Sequence, residues 1–262
     1  MSVPFHLARI ILSAWVAAGL SGVAGCAMYK TPGGGIRMDA LATGDIRERL
    51  DRKPAANFPA NIAVARVQAP GYSSYSMSDA YGGGKFCVVT TRDIETPSDF
   101  ERIAKLASVA GVAPISRLLL PSKLDSDADL RLAAASLRAD ILLVYTFETQ
   151  FVTNESIITP LRTFYLGILP DQTAKVTTTA SAALFDVRTG FVYGAGEATA
   201  REDQLTTVWI NSEAIDQARQ RTERKAFEQL IGELEATWPG IVARHTGSAA
   251  VRPGTGPAMA AP

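Results

Sequence analysis

Three long stretches with the composition of strands do most to restrict what this chain can become. Residues 140–152 read DILLVYTFETQFV, apolar at the start and alternating with polar residues toward the end. Residues 173–188 (TAKVTTTASAALFDVR) and 191–201 (FVYGAGEATAR) flank Thr189 and Gly190. A pair of β-rich runs around a turn containing glycine is the signature of an antiparallel hairpin. A chain with such strands must build its core on a sheet, and helices then have to cover that sheet.

The helices can be read from spacing. Residues 97–110 open with Pro97 and place Phe100, Ile103, Ala104, Leu106, Ala107 and Ala110 on one face, which predicts an amphipathic helix ended by Gly111. Residues 127–138 predict another. From a cap at Ser212, one face of a long closing helix carries Ile215, Ala218, Thr222, Ala226, Phe227, Leu230, Ile231, Leu234 and Trp238, and Pro239 and Gly240 are expected to stop it. Residues 38–52 predict a short first helix through Leu41, Ile46 and Leu50, 61–68 (NIAVARVQ) a strand of alternating pattern, 85–91 a strand, and 115–120 a buried strand. The expected fold class is α/β: a single domain with a mixed β-sheet, a long antiparallel hairpin and flanking helices.

The amino terminus predicts export. Arg9 supplies a positive charge, residues 10–20 an apolar stretch, and Val23, Ala24 and Gly25 lead into Cys26 in the manner of the lipobox of bacterial lipoproteins. The predicted organisation is a lipoprotein signal peptide over 1–25, a lipidated flexible tether over 26–37, an α/β globular domain over 38–240 and a disordered tail over 241–262. Two or three acyl chains on Cys26 exceed what stable anchoring needs, at roughly 0.8 kcal/mol per buried methylene. Because Ala27 rather than Asp follows the cysteine, the expected location is the outer membrane, facing the periplasm.

Charge and rare residues narrow the function. Lys and Arg number 26 and Asp and Glu 26, so no net field favours nucleic acid. The hydrophobic share of 47% is enough for a core that folds without metal or cofactor. With Cys26 lipidated, Cys87 in KFCVV has no intramolecular partner and reads as a buried strand residue. His245 is the one histidine after the signal and falls in the expected disordered tail, which leaves no histidine triad or histidine metal cluster for the core. YGGGK fails as a phosphate loop, since Asp79 stands at the first glycine position and Phe86 follows the lysine. Asp125, Asp127 and Asp129 lack the glycine and closing glutamate of a calcium loop and read as helix-capping carboxylates. Asp140, Glu148, Glu155, Asp171 and Asp186 are the carboxylates from which a hydrolytic pair would have to come, and no spacing rule selects two of them.

The phrases LRLAAASLRADILLVYTFETQF, an apolar loop closing at LPD, TASAALFDVRTGFVYGAGEAT and a final amphipathic helix together resemble the rhombotarget lipoprotein family. More distantly they are similar to the curli-type secretion lipoprotein and the amino-terminal domain of the Tol translocation protein. The resemblance covers roughly residues 60–238 and implies a small α/β domain with a mixed sheet, serving assembly, secretion or partner binding, with no catalytic residue to carry over. The ending GTGPAMAAP has no apolar span or basic cluster, so processing by a rhomboid-type protease is not implied.

The expectation is therefore a non-catalytic binding or assembly module held to the membrane by acyl chains on Cys26, with an unidentified envelope protein as partner and no nucleic acid. A subunit of an oligomeric outer-membrane secretion channel is the alternative, and a carboxylate-based envelope hydrolase the second. The connection 157–169 is apolar, with Phe164, Tyr165 and Leu166 as candidate contacts with a partner or membrane, or else as part of a core lid.

Overall fold

The computed structural model describes residues 32–75, 80–155, 172–206 and 212–246. They belong to one compact unit. Strand β1 (Ala60–Gln68) is its centre. On one side β1 pairs in parallel with β7 (Ile141–Glu155). On the other it pairs in parallel with β5 (Val109–Pro114) along its first half and antiparallel with β4 (Cys87–Val89) along its last residues. The short β2 (Ala80–Tyr81) extends the sheet beyond β4. On the far side β7 pairs antiparallel with β8 (Gln172–Asp186), and β8 with β9 (Val192–Thr206), so β9 ends the strand order. A separate pair, β3 (Gly83–Gly84) with β6 (Lys123–Leu124), lies outside this sheet.

Apolar side chains on both faces of the central strands explain why helices flank the sheet. Ile62, Val64, Leu143 and Leu184 pack with Phe227, Leu230 and Ile231 of the closing helix α5 (Ser212–Thr246), with Ile103 of α3 (Pro97–Ala104) completing that layer. Ala63, Ala65, Leu142 and Val144 pack on the other face with Leu130, Ala133 and Ala134 of α4 (Asp127–Ser136). The fold is thus the expected mixed α/β arrangement. Farther out, along the second half of β7 and its neighbours, Glu148, Gln150, Glu197, Thr199 and Arg201 are exposed on the face away from α5.

Five local expectations are corrected. The first helix is two: α1 (Met38–Leu41) and α2 (Ile46–Asp51), separated at Gly44, whose φ of 86° breaks the helix. Asp45 then caps α2 by accepting from the Glu48 amide at 2.8 Å, and Ile46 and Leu50 point to solvent. The helix from Pro97 ends at Ala104, because residues 109–114 are needed beside β1 and Ser108, at φ 63°, turns the chain into that strand. Residues 115–120 are consequently no strand but hold a 3-10 turn, Arg117–Leu119, with Leu118 exposed. Residues 61–68 do not alternate between core and solvent, since both faces of β1 are covered.

The fifth is the closing helix, which runs through Pro239 to Thr246. An interior proline costs about 3 kcal/mol. Two anchors on either side of it offset this: Trp238 is buried and donates from Nε1 to the Ala107 carbonyl at 2.7 Å, and Ile241 is buried in the core. His245 accordingly sits not in a loose tail but in the last turn, edge-on to Phe191 and Tyr193 with ring centroids 5.7 and 4.9 Å away.

Candidate functional site

Burial of ionisable groups is concentrated beneath α5. Arg66 of β1 reaches into that layer, where its guanidinium lies 4.8 Å from the Phe147 ring centroid, donates to Asp93 Oδ1 at 2.7 Å and donates to the Tyr72 hydroxyl at 3.0 Å. Helix α5 contributes Asp216, Arg219 and Glu223, spaced three and four residues apart so that all three share a face. Arg219 donates to Asp216 at 2.9 Å and to Glu223 at 2.6 Å, and its Nη2 is 3.5 Å from Asp93. Glu95 accepts from the Tyr145 hydroxyl at 2.6 Å and lies 3.6 Å from Arg66. Thr149 donates to Glu223 at 2.9 Å.

Charges this deep exist only if they are paired. Burial opposes the protonated form of Arg66, but Glu95, Tyr72, Glu223 and Asp93 outweigh it and hold the guanidinium charged. Burial pushes the Glu223 carboxyl up, and Arg66, Arg219 and Thr149 only partly draw it back. Burial also pushes the Tyr72 hydroxyl up to about 12. Each group is satisfied by its neighbours apart from Arg66 Nε and Glu95 Oε2. The space beside those two atoms measures only about 20 Å³, which is room for a water and not for a substrate. The cluster ties β1, the 93–95 segment and α5 together. It is a structural brace.

Of the carboxylates singled out in the sequence, Asp140 and Asp186 are likewise engaged. Asp186 accepts from the amides of Arg188 and Thr189 at 2.9 and 3.0 Å and from the Tyr193 hydroxyl at 2.7 Å. Burial pushes its carboxyl up, and these donors with the Ala55 amide outweigh that and hold it low. Asp140 accepts from the Asn61 amide at 3.1 Å, and Glu148 is exposed. Asp140 and Asp186 are both near Arg188, but each is committed to fixing backbone. Asp129 accepts from the amides of Asp125 and Ser126, as a capping carboxylate should, and Asp127 pairs with Arg131 at 2.8 Å. Cys87 is buried, and burial raises its thiol. Among the described residues no group of three His, Cys, Asp or Glu side chains is placed to hold a metal ion, and no helix is long and apolar enough to cross a membrane. The candidate residues Val23, Ala24, Gly25, Cys26, Phe164, Tyr165 and Leu166, with Asp171, lie outside the described residues.

Two open depressions are formed by the described residues. One of about 210 Å³ lies between α5 and the β8–β9 turn region, lined by Leu184, Tyr193, Gly194, Leu234 and Ile241, with Arg244 at its rim. The other, about 380 Å³, is a groove on the opposite sheet face. Ile36, Leu41, Val67, Val144 and Ala183 form its apolar floor and Glu148 stands at its edge. Its wall, Gly35–Arg37, is pinned to the sheet where the Ile36 amide donates to Thr146 Oγ1 at 3.1 Å, and Thr146 in turn donates to Gln68 at 2.7 Å.

No family model matches this chain, and no curated protein matches it. Solved structures do. A lipoprotein from Neisseria meningitidis is 17% identical over 71% of this chain and 99% of its own, with a TM-score of 0.30. A Xanthomonas campestris protein is 12% identical over 80% and 96%, with a TM-score of 0.34, and a Caulobacter crescentus protein 16% over 43% and 78%, with a TM-score of 0.27. All three likenesses are distant.

The sequence reading missed the brace, although two signals for it were present. Arg66 is a lone cation inside an apolar strand, and Asp216, Arg219 and Glu223 recur at helical spacing beside the apolar face of α5. The groove was not legible, because its wall is made by the residues read as tether.

Proposed function

We propose that this protein is a lipid-anchored module of the bacterial envelope, facing the periplasm from the outer membrane, which holds a segment of a partner protein and performs no reaction. The observation that carries this is the position of the groove. Its wall begins at Gly35, about nine residues after Cys26, and nine extended residues reach at most roughly 30 Å. An acylated Cys26 would therefore present the groove within a short distance of the lipid surface. The lining is apolar with a polar edge, as recognition sites for protein segments commonly are.

The test has two arms. Cys26→Ser should abolish palmitate incorporation and membrane association; a variant that still labels and pellets overturns the anchor. In the parent chain, a photoreactive residue replacing Glu148 should give a discrete protein adduct in living cells, lost when Ala183→Trp fills the groove. An adduct indifferent to Ala183→Trp, or formed only with lipid, overturns the partner-binding role.

A further inference from the structure

The outermost strand β9 is an edge that nothing among the described residues covers. It pairs with β8 from Gly194 to Thr206 without interruption, and its other side receives no backbone hydrogen bond from the described residues. Exposed edges of this length are ordinarily blunted by proline, a mid-strand bulge or charged side chains, lysine above all. The segment VYGAGEATAREDQLT has neither proline nor lysine, and its one register shift lies at the turn end, between Leu184 and Phe185 on the partner strand.

The side chains along this edge have a symmetry of their own. On the face away from α5 the exposed residues run Glu197, Thr199, Arg201, and on the α5 face they run Ala198, Ala200. Reversing the strand about Thr199 puts Glu197 opposite Arg201, Thr199 opposite Thr199 and Ala198 opposite Ala200. Thr199 shares a hydrogen bond with Thr179 at 2.9 Å, and Glu197 accepts from Ser181 through Oε1, which leaves Oε2 without a partner among the described residues. The Arg201 guanidinium has no partner among the described residues.

We propose that two copies of this chain join edge to edge through β9, antiparallel, about a two-fold axis at Thr199. The ladder continues across the axis, and each Glu197 meets the Arg201 of the other copy. Opposite charges at facing positions of an antiparallel pair stabilise it, like charges at the same positions oppose it, and a two-fold contact must be self-complementary, as this edge is. The small residues Ala198 and Ala200 keep the facing side of the ladder free of steric conflict. The inference is independent of how the chain is anchored.

Crosslinking in isolated membranes tests it with the full chain. Thr199→Cys brings two thiols together at the axis, so a short bismaleimide should give a covalent dimer at least tenfold above the parent, whose Cys87 is buried. Ala195→Cys should remain monomeric, since its two copies would be separated by about eight residues of strand, roughly 27 Å. In the Thr199→Cys background, Glu197→Arg alone and Arg201→Glu alone should each suppress the dimer, and the two together should restore it. All these positions are exposed, and parent-like melting confirms folding. A well-folded Thr199→Cys chain that stays monomeric overturns the proposal. So do equal linking at Ala195→Cys, charge reversals without effect, or an adduct carrying the mass of a different protein.

Discussion

The guanidinium of Arg219 and the carboxylate of Glu223 face each other one helical turn apart on α5, 2.6 Å from Nη1 to Oε2, with both side chains buried. Nη2 of Arg66 on β1 is 3.6 Å from the same carboxylate oxygen. The helix thus brings its own ion pair into the core and shares it with the central strand, which fixes where along the sheet α5 docks.

Arg219→Met is expected to destabilise the domain by about 3–5 kcal/mol, the usual cost of leaving a buried charge without its partner. It would strand both Asp216 and Glu223. Glu223→Gln keeps the shape and removes a charge that burial already disfavours, so it should cost less than half as much. Urea unfolding followed by circular dichroism measures both, and equal losses would contradict the shared-brace account.

The pH dependence of stability should carry two terms of opposite sign. The Asp99 carboxyl is pushed up by burial, but Arg224, bonded to it at 2.8 Å through Nη2, and Thr96 outweigh this and hold it below the ordinary 3.8; Asp186 is likewise held low. These two contribute stability above the ordinary aspartate range that is lost as pH falls through their lowered values. Glu223 is raised, so its contribution is most favourable below the ordinary glutamate value of 4.5 and declines as pH rises through its raised value. Melting temperature should therefore climb steeply out of acid and then level or dip. Asp186→Asn should flatten the acid limb and Glu223→Gln the later decline. Parent-like curves for both variants would refute the assignment.

How far the sequence revealed this molecule depends on where local pattern and tertiary contact agree. The 140–152 strand, the 173–201 hairpin and the apolar face of α5 were legible because burial there follows the period of the element. The end of α5 was not, because Pro239 is a local stop signal that the docking of Trp238 and Ile241 overrides. Residues 109–120 misled for a similar reason: Ala107 and Ala110 continue a helical pattern, yet the chain from Val109 to Pro114 is set by pairing with β1. The groove depends on Ile36 meeting Thr146, a contact between residues far apart in sequence that no local pattern announces.

Gly190→Ala should cost about 1–2 kcal/mol through its backbone alone, since φ is 69° and a side chain disfavours the left-handed region. The added Cβ would also stand 2.9 Å from Arg52 Nη1, which now donates to the Gly190 carbonyl. Hydrogen exchange should show the loss first at the β8–β9 turn, in the amides of Arg188 and Thr189 held by Asp186. Unchanged protection there would mean that the turn does not limit opening of the hairpin.

The last expectation concerns Phe164, Tyr165 and Leu166. Strands β7 and β8 stay in register up to Glu155 opposite Gln172, so the connection 156–171 starts about ten residues, or roughly 33 Å, beyond Tyr145 along the ribbon. Chain length gives a sixteen-residue connection held at both ends a reach of at most eight residues, roughly 26 Å, against roughly 33 Å to the core around Tyr145. That core is already closed by α4 on one face and α5 on the other. Changing all three residues to Ser should accordingly leave the melting temperature near that of the parent while removing a contact with a partner or the membrane, read as loss of an adduct from a photoreactive residue at position 163. A stability loss of several kcal/mol, the scale of emptying a packed aromatic site, would instead place these side chains in the core and end the contact reading.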